Sequence, residues 1–133
     1  MNKIIIASHG ELALGMKNTV EFFGGSGVEY VEQTLTDTGF ENRVIEILTK
    51  YKDDNCVVFT DLYGGSVNQC FFKNLNDFNF HLVTGMNLAV ILECVLASVE
   101  IDEEFIRNAI EMSKSQFSYM NDLVNMASDD DDD

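Results

Sequence analysis

The chain has 133 residues, 46% of them apolar and 23% charged, which fits one globular domain and excludes multidomain machinery, fibrous repeats and disorder throughout. Eight Lys and Arg stand against 23 Asp and Glu, a formal charge of −15, and this argues against nucleic acid as a partner, since that affinity rests on basic side chains neutralising phosphates. No apolar run approaches the roughly 18 to 20 residues that span a bilayer, and the apolar stretch after Met1-Asn2-Lys3 is too short for a signal-peptide core, so a cytoplasmic protein is expected.

Lys3-Ile4-Ile5-Ile6-Ala7-Ser8 is a β-branched run without helical period, the pattern of a strand buried on both faces. Leu12, Met16, Val20 and Phe23 then recur at helical spacing over 11–23, and Gly24-Gly25-Ser26-Gly27 stops them. Val28 to Val31 predicts a short second strand, and Thr34 to Gly39 a turn. A second helix follows, with Val44, Ile45, Leu48 and Tyr51 on one face and Glu41 near its positive end. Asn55 to Asp61 repeats the buried-strand pattern, and Leu62-Tyr63-Gly64-Gly65-Ser66 turns it into a third helix reaching Leu75. Phe78 to Val83 predicts a fourth strand, Leu88 to Val99 a fourth helix, and the segment from Asp102 an amphipathic one carrying Phe105, Ile106, Ala109, Ile110 and Met112. Residues 116–126 fit a continued helix and a strand equally well.

Strand alternating with helix four times predicts an α/β fold, a doubly wound, mostly parallel sheet with helices on both faces. Asp129 to Asp133 form one like-charge block; removing these five from 23 leaves 18 acidic residues against 8 basic, so the remainder still carries −10. A domain over 1–125 followed by an acidic solvated tail, 126–133, is therefore expected. The tail lacks the glycine-bent loop of a calcium site. Cys56, Cys70 and Cys94 match neither a zinc pattern nor a disulfide framework and are expected to be buried small hydrophobes. No metal and no cofactor is called for.

In open α/β sheets ligands gather beyond the carboxyl ends of the strands. His9 and Gly10 lie there after the first strand, and Asp61 with Gly64-Gly65-Ser66 after the third. If those strands are neighbours, Asp61 reaches His9, fixes its tautomer and leaves the other ring nitrogen as a nucleophile. Gly64, Gly65 and Ser66 supply amides and a hydroxyl for an anion cradle. Each residue also has a plainer reading: His9 as a helix cap or loop residue, Asp61 as a cap of the third helix or a partner of the turn amides, Ser66 as the N-cap of that helix. His81 reads as an ordinary strand histidine. Taken together, the three groups fit phosphoryl transfer to and from histidine.

Ile4-Ile5-Ile6-Ala7-Ser8-His9-Gly10, then Phe59-Thr60-Asp61-Leu62-Tyr63-Gly64-Gly65-Ser66, then Val83-Thr84-Gly85-Met86-Asn87-Leu88 resemble, in order and spacing, the mannose-family enzyme IIA component of the bacterial phosphoenolpyruvate-dependent phosphotransferase system. The resemblance covers roughly residues 1 to 125. It implies that His9 is the phosphorylated residue, that Asp61 orients it and that Ser66 contacts the phosphoryl group, with HPr as donor and an enzyme IIB component as acceptor during sugar uptake. It also implies a homodimer with an exchanged C-terminal edge strand, and contact with the membrane only indirectly, through the IIC/IID transporter. The family often has tryptophan before the Gly-Gly-Ser turn and proline after it, where this chain has Tyr63 and Val67. Rival readings fare less well. A response-regulator receiver needs acidic magnesium ligands after its first strand, where Ser8-His9-Gly10 stand. A histidine phosphatase needs a second catalytic histidine and several arginines, and only His81, Arg43 and Arg107 are on offer. A phosphorylation-sensing regulatory or interaction module on the same fold is the remaining alternative.

Overall fold

The computed structural model describes residues 1–124. Strands β1 (Asn2–His9), β2 (Glu29–Gln33), β3 (Asn55–Thr60) and β4 (His81–Val83) alternate with helices α1 (Leu12–Phe22), α2 (Phe40–Lys50), α3 (Ser66–Lys73) and α4 (Leu88–Val95), and α5 (Glu103–Lys114) follows. The sheet runs β2-β1-β3-β4 and every pairing is parallel. The chain moves from β1 outward to β2 and then crosses back to β3 on the other side of β1. The topological switch point therefore lies between β1 and β3.

Alternation along the strands divides the core in two. Ile4, Ile6, Val57 and Phe59 point to the face covered by α1, α4 and α5, where they meet Val20, Ile91 and Ile106. Ile5, Ala7, Val31 and Val58 point to the opposite face and pack on Val44 and Leu48 of α2 and Val67 and Phe71 of α3. The apolar runs of β1 and β3 carry no polar alternation because both faces are covered. Ile5 and Ile6 are wholly inaccessible, and burial of each contributes about 2 kcal/mol. The expected doubly wound sheet is thus the architecture found, and β1 and β3 are neighbours in register, Ala7 beside Thr60.

Several boundaries differ from the sequence expectation for local reasons. In α2 the buried stripe is Phe40, Val44 and Leu48, four residues apart, whereas Ile45 lies about 100° around the helix from Val44 and is 45% exposed. The third helix ends at Lys73 rather than Leu75, tightening into a 3₁₀ turn over Asn74–Asn76. Asn74 Nδ2 donates to the Cys70 carbonyl and the Phe78 amide to the Asn74 carbonyl, so the chain is still turning where the fourth strand was expected to begin. Only His81–Val83 joins the ladder. Helix α4 stops at Val95, four residues short of Val99. The second strand sits further along than expected, and its last residue, Gln33, lies beside His9 in register.

Ser8 ends the buried part of β1 and serves the next element. Its hydroxyl accepts from the Ala13 amide at 2.7 Å, which supplies the first turn of α1 with a cap that Glu11 does not provide. Asn87 and Asp102 cap α4 and α5, accepting from the amides of Val90 and Phe105. After α5, residues 117–119 are irregular and 120–124 helical. The rest of the ambiguous stretch, with the acidic block Asp129 to Asp133, lies outside the described residues. No helix among the described residues is long and apolar enough to cross a membrane. Cys56, Cys70 and Cys94 are free and buried, as expected of small hydrophobes, and burial pushes the Cys94 thiol up to about 11.

Candidate functional site

The last residue of β1 and the first after β3 meet at the switch point. One carboxylate oxygen of Asp61, Oδ2, accepts two hydrogen bonds from the same residue: the His9 backbone amide at 2.8 Å and the His9 ring Nδ1 at 2.8 Å. The other oxygen, Oδ1, accepts from the Leu62 amide at 3.0 Å. The Asp61 side chain is 8% exposed and that of His9 is 40% exposed, so the carboxylate is enclosed while the ring reaches solvent. Burial pushes the Asp61 carboxyl up, but the bonds from the His9 amide and ring, with the ring's charge, outweigh it and leave the group below its ordinary value of 3.8. An ionised Asp61 can only accept, which makes Nδ1–H the donor and leaves Nε2 as the outward-facing nitrogen.

Nε2 faces the start of α3. Ser66 Oγ lies 3.0 Å from it. Gly64 takes φ +74°, a conformation open to glycine, and turns the chain out of β3. Gly65 is required by proximity: a Cβ there would stand 3.1 Å from His9 Cε1 and 3.3 Å from the Leu62 carbonyl oxygen. The turn is braced by Gly65 N–H to the Leu62 carbonyl at 3.1 Å and by Gln69 Nε2 to the Gly64 carbonyl at 2.6 Å. Thr60 Oγ1 donates to Asn68 Oδ1 at 3.0 Å and ties the first turn of α3 back to β3.

The structure therefore brings His9, Asp61, Gly64, Gly65 and Ser66 together. One plainer reading gives way and another holds in part. Ser66 is the first residue of α3, not its N-cap, which is Gly65, and the Ser66 side chain makes no capping bond. Asp61 does hold a turn amide, that of Leu62, but its other oxygen belongs to His9. Because the Gly65 amide is engaged within the turn, the donors left for an anion are those of Ser66, Val67 and Asn68, which by their place at a helix start have no intrahelical acceptor. An anion seated there meets the positive end of the α3 dipole. Arg43 is paired with Asp37 and Lys73 with Glu41.

Sequence reasoning passed over one residue. Gln33 ends β2 beside His9, and its side-chain Oε1 lies 2.6 Å from Ser66 Oγ. An open groove of about 550 Å³ beside the ring is lined by His9, Gly10, Gln33, Thr34, Leu35 and Asp37. Leu35, Leu62 and Tyr63 stand exposed in the loops around it.

The family model described as PTS system fructose IIA component matches residues 3–111. Among solved structures, a Klebsiella pneumoniae protein assigned as a phosphoenolpyruvate-dependent sugar phosphotransferase system permease is 28% identical, with a TM-score of 0.81 over 92% of this chain and 93% of that one. The PTS IIA protein associated with the fucose utilization operon of Streptococcus pneumoniae is 26% identical, with a TM-score of 0.77 over 92% and 96%. The mannose/sorbose specific IIA subunit of Enterococcus faecalis shares the fold, with a TM-score of 0.82 at 23% identity over 89% and 93%. A search of curated proteins finds no match.

Proposed function

The chain belongs to the PTS system fructose IIA component family, phosphotransferase-type relay proteins of sugar uptake, and on that footing we propose that it carries the phosphoryl group on Nε2 of His9. The observation that supports this most is the double hydrogen bond from His9 to one oxygen of Asp61, which presents Nε2 outward with its lone pair available.

The donor in this reading is phosphohistidine on HPr and the acceptor an enzyme IIB component. In the forward step the Nε2 lone pair of neutral His9 forms the new N–P bond while the donor's N–P bond breaks, its electron pair returning to the donor imidazole. No net proton is transferred, since each ring keeps one N–H throughout. Such a transfer asks for alignment and for stabilisation of charge on the phosphoryl oxygens. Asp61 fixes the ring and offsets the positive charge that the phosphorylated imidazole gains, while the Ser66 hydroxyl and the amides opening α3 face the phosphoryl group. The exposed Leu35, Leu62 and Tyr63 form an apolar rim for the partner carrying the other histidine, and the acidic surface steers a basic one.

The same reading makes the protein a cytoplasmic homodimer that meets the membrane only through IIC and IID. In its support, β4 pairs with β3 alone among the described strands, and Phe117, Tyr119, Met120, Leu123 and Val124 are exposed after α5. The test is intact mass after incubation with phosphoenolpyruvate, enzyme I and HPr. Gain of one acid-labile phosphate, absent in His9→Ala and passed on to a IIB protein, is expected. Incorporation into His9→Ala refutes the assignment, and acceptance without onward transfer to IIB proteins refutes the relay.

A further inference from the structure

One hydroxyl proton has two acceptors within reach. Ser66 Oγ lies 2.6 Å from Gln33 Oε1 and 3.0 Å from His9 Nε2, yet a serine donates once. Gln33 meets the serine with its side-chain oxygen, which can only accept, so the proton belongs on the Gln33 side. Ser66 then turns a lone pair, not a proton, toward His9. A neutral ring keeps Nε2 uncapped, and a protonated ring gives its Nε2–H to the serine.

The backbone places Gln33 for this task. Gln33 and His9 are register partners at the ends of adjacent strands, and the Gly10 amide donates to the Gln33 carbonyl at 2.9 Å. Two residues before each, Val31 and Ala7 point to the face covered by α2 and α3. Alternation sends Gln33 and His9 to that same face, where Ser66 opens α3. Arg43 Nη2 donates to the Glu32 carbonyl at 2.8 Å and pairs with Asp37, which fixes the loop following Gln33.

We propose that Gln33 is a positioning residue for the reaction at His9: it holds the Ser66 hydroxyl proton away from Nε2, so that the lone pair is free to attack, and releases that hydroxyl to a phosphoryl oxygen once the N–P bond has formed. Without Gln33 the protein acceptor left within reach of the exposed serine is the nucleophile itself, in competition with water. In a Gln33→Leu protein the serine proton then turns to Nε2 more often, and that hydrogen bond must break before the lone pair attacks. The expected loss is about fivefold in the single-turnover rate, the worth of one neutral hydrogen bond, with the half-saturating concentration of phospho-HPr unchanged.

The inference rests on His9 as the phosphorylated residue, and its test separates the two. Gln33→Leu, Ser66→Ala and the double variant are compared with wild type in single-turnover transfer from phospho-HPr and in the ¹⁵N resonance of neutral His9 Nε2, which moves upfield when that nitrogen accepts a hydrogen bond. The expected result is a slowed Gln33→Leu with its Nε2 resonance upfield of wild type, and no further effect of Gln33→Leu on either readout once Ser66 is alanine. An equal slowing in both serine backgrounds, no slowing, or an unmoved resonance overturns it. The resonance needs no donor: if wild type takes no phosphate, the proposed function fails, while the resonance still decides what Gln33 does to Ser66.

Discussion

Asp61→Asn changes one atom at the centre of the site. In the carboxylate, Oδ2 takes the His9 amide and Nδ1–H, both at 2.8 Å, and Oδ1 takes the Leu62 amide at 3.0 Å. An asparagine whose oxygen stands in place of Oδ2 keeps both His9 bonds without the charge and sets its NH₂ against the Leu62 N–H. Turned the other way, it faces the His9 amide with a donor and forces the ring to the Nε2–H tautomer, which protonates the nucleophile. Hydrogen bonds to a charged group contribute about 1.5–3 kcal/mol, so either orientation removes about 2–3 kcal/mol of support from the ring during transfer, a rate factor of about 30–150. Rapid-quench transfer from phospho-HPr, counting acid-labile phosphate on the variant, measures it directly. Circular dichroism should show the fold retained, because the site lies beyond the strand ends. A rate within about threefold of wild type would refute the idea that Asp61 acts through the charge and tautomer of His9.

Gly65→Ala sets a methyl 3.1 Å from His9 Cε1, so the ring must yield by a few tenths of an ångström; transfer should slow about three- to tenfold with little change in thermal midpoint, measured in the same assay. Asn87→Ala removes the oxygen that accepts the Val90 amide at the start of α4 and should cost about 1 kcal/mol in urea unfolding while leaving transfer intact. Arg43 holds the Asp37 carboxyl at about 2, below its ordinary 3.8. A depressed folded value means the contribution is complete above the unfolded value and lost as pH falls through the folded one. Asp37→Asn should therefore lower the urea midpoint by a constant amount above about pH 4, and the gap from wild type should close as pH falls toward 2.

The parts of this protein that sequence made legible are those where one physical cause dominates. Ile4-Ile5-Ile6-Ala7 and Cys56-Val57-Val58-Phe59 are apolar on both faces because helices cover both faces, and nothing competes with that reading. With β1 and β3 adjacent, the residues beyond their ends had to meet, which is why His9, Asp61 and Ser66 could be named together. Where causes compete, the reading failed. Ile45 looks like a core residue by type, but its angle around α2 turns it to solvent. Asn74 ends α3 by bonding its own backbone, an interaction invisible to hydrophobic period. Ser8 reads as the end of a strand, although its hydroxyl caps the next helix. Gln33 had no local signal: it is a polar residue at the end of an edge strand, and it acquires meaning only from the parallel register that sets it beside His9 and from the helix that brings Ser66 to the same face.

The central claim concerns one nitrogen. If Asp61 holds Nδ1, the phosphoryl group must sit on the other side of the ring. Protein labelled with ¹⁵N in histidine, phosphorylated through phosphoenolpyruvate, enzyme I and HPr and kept alkaline, shows the bonded nitrogen by its coupling to ³¹P. The account predicts phosphate on Nε2 of His9. Phosphate on Nδ1, or on a residue other than His9, would contradict it.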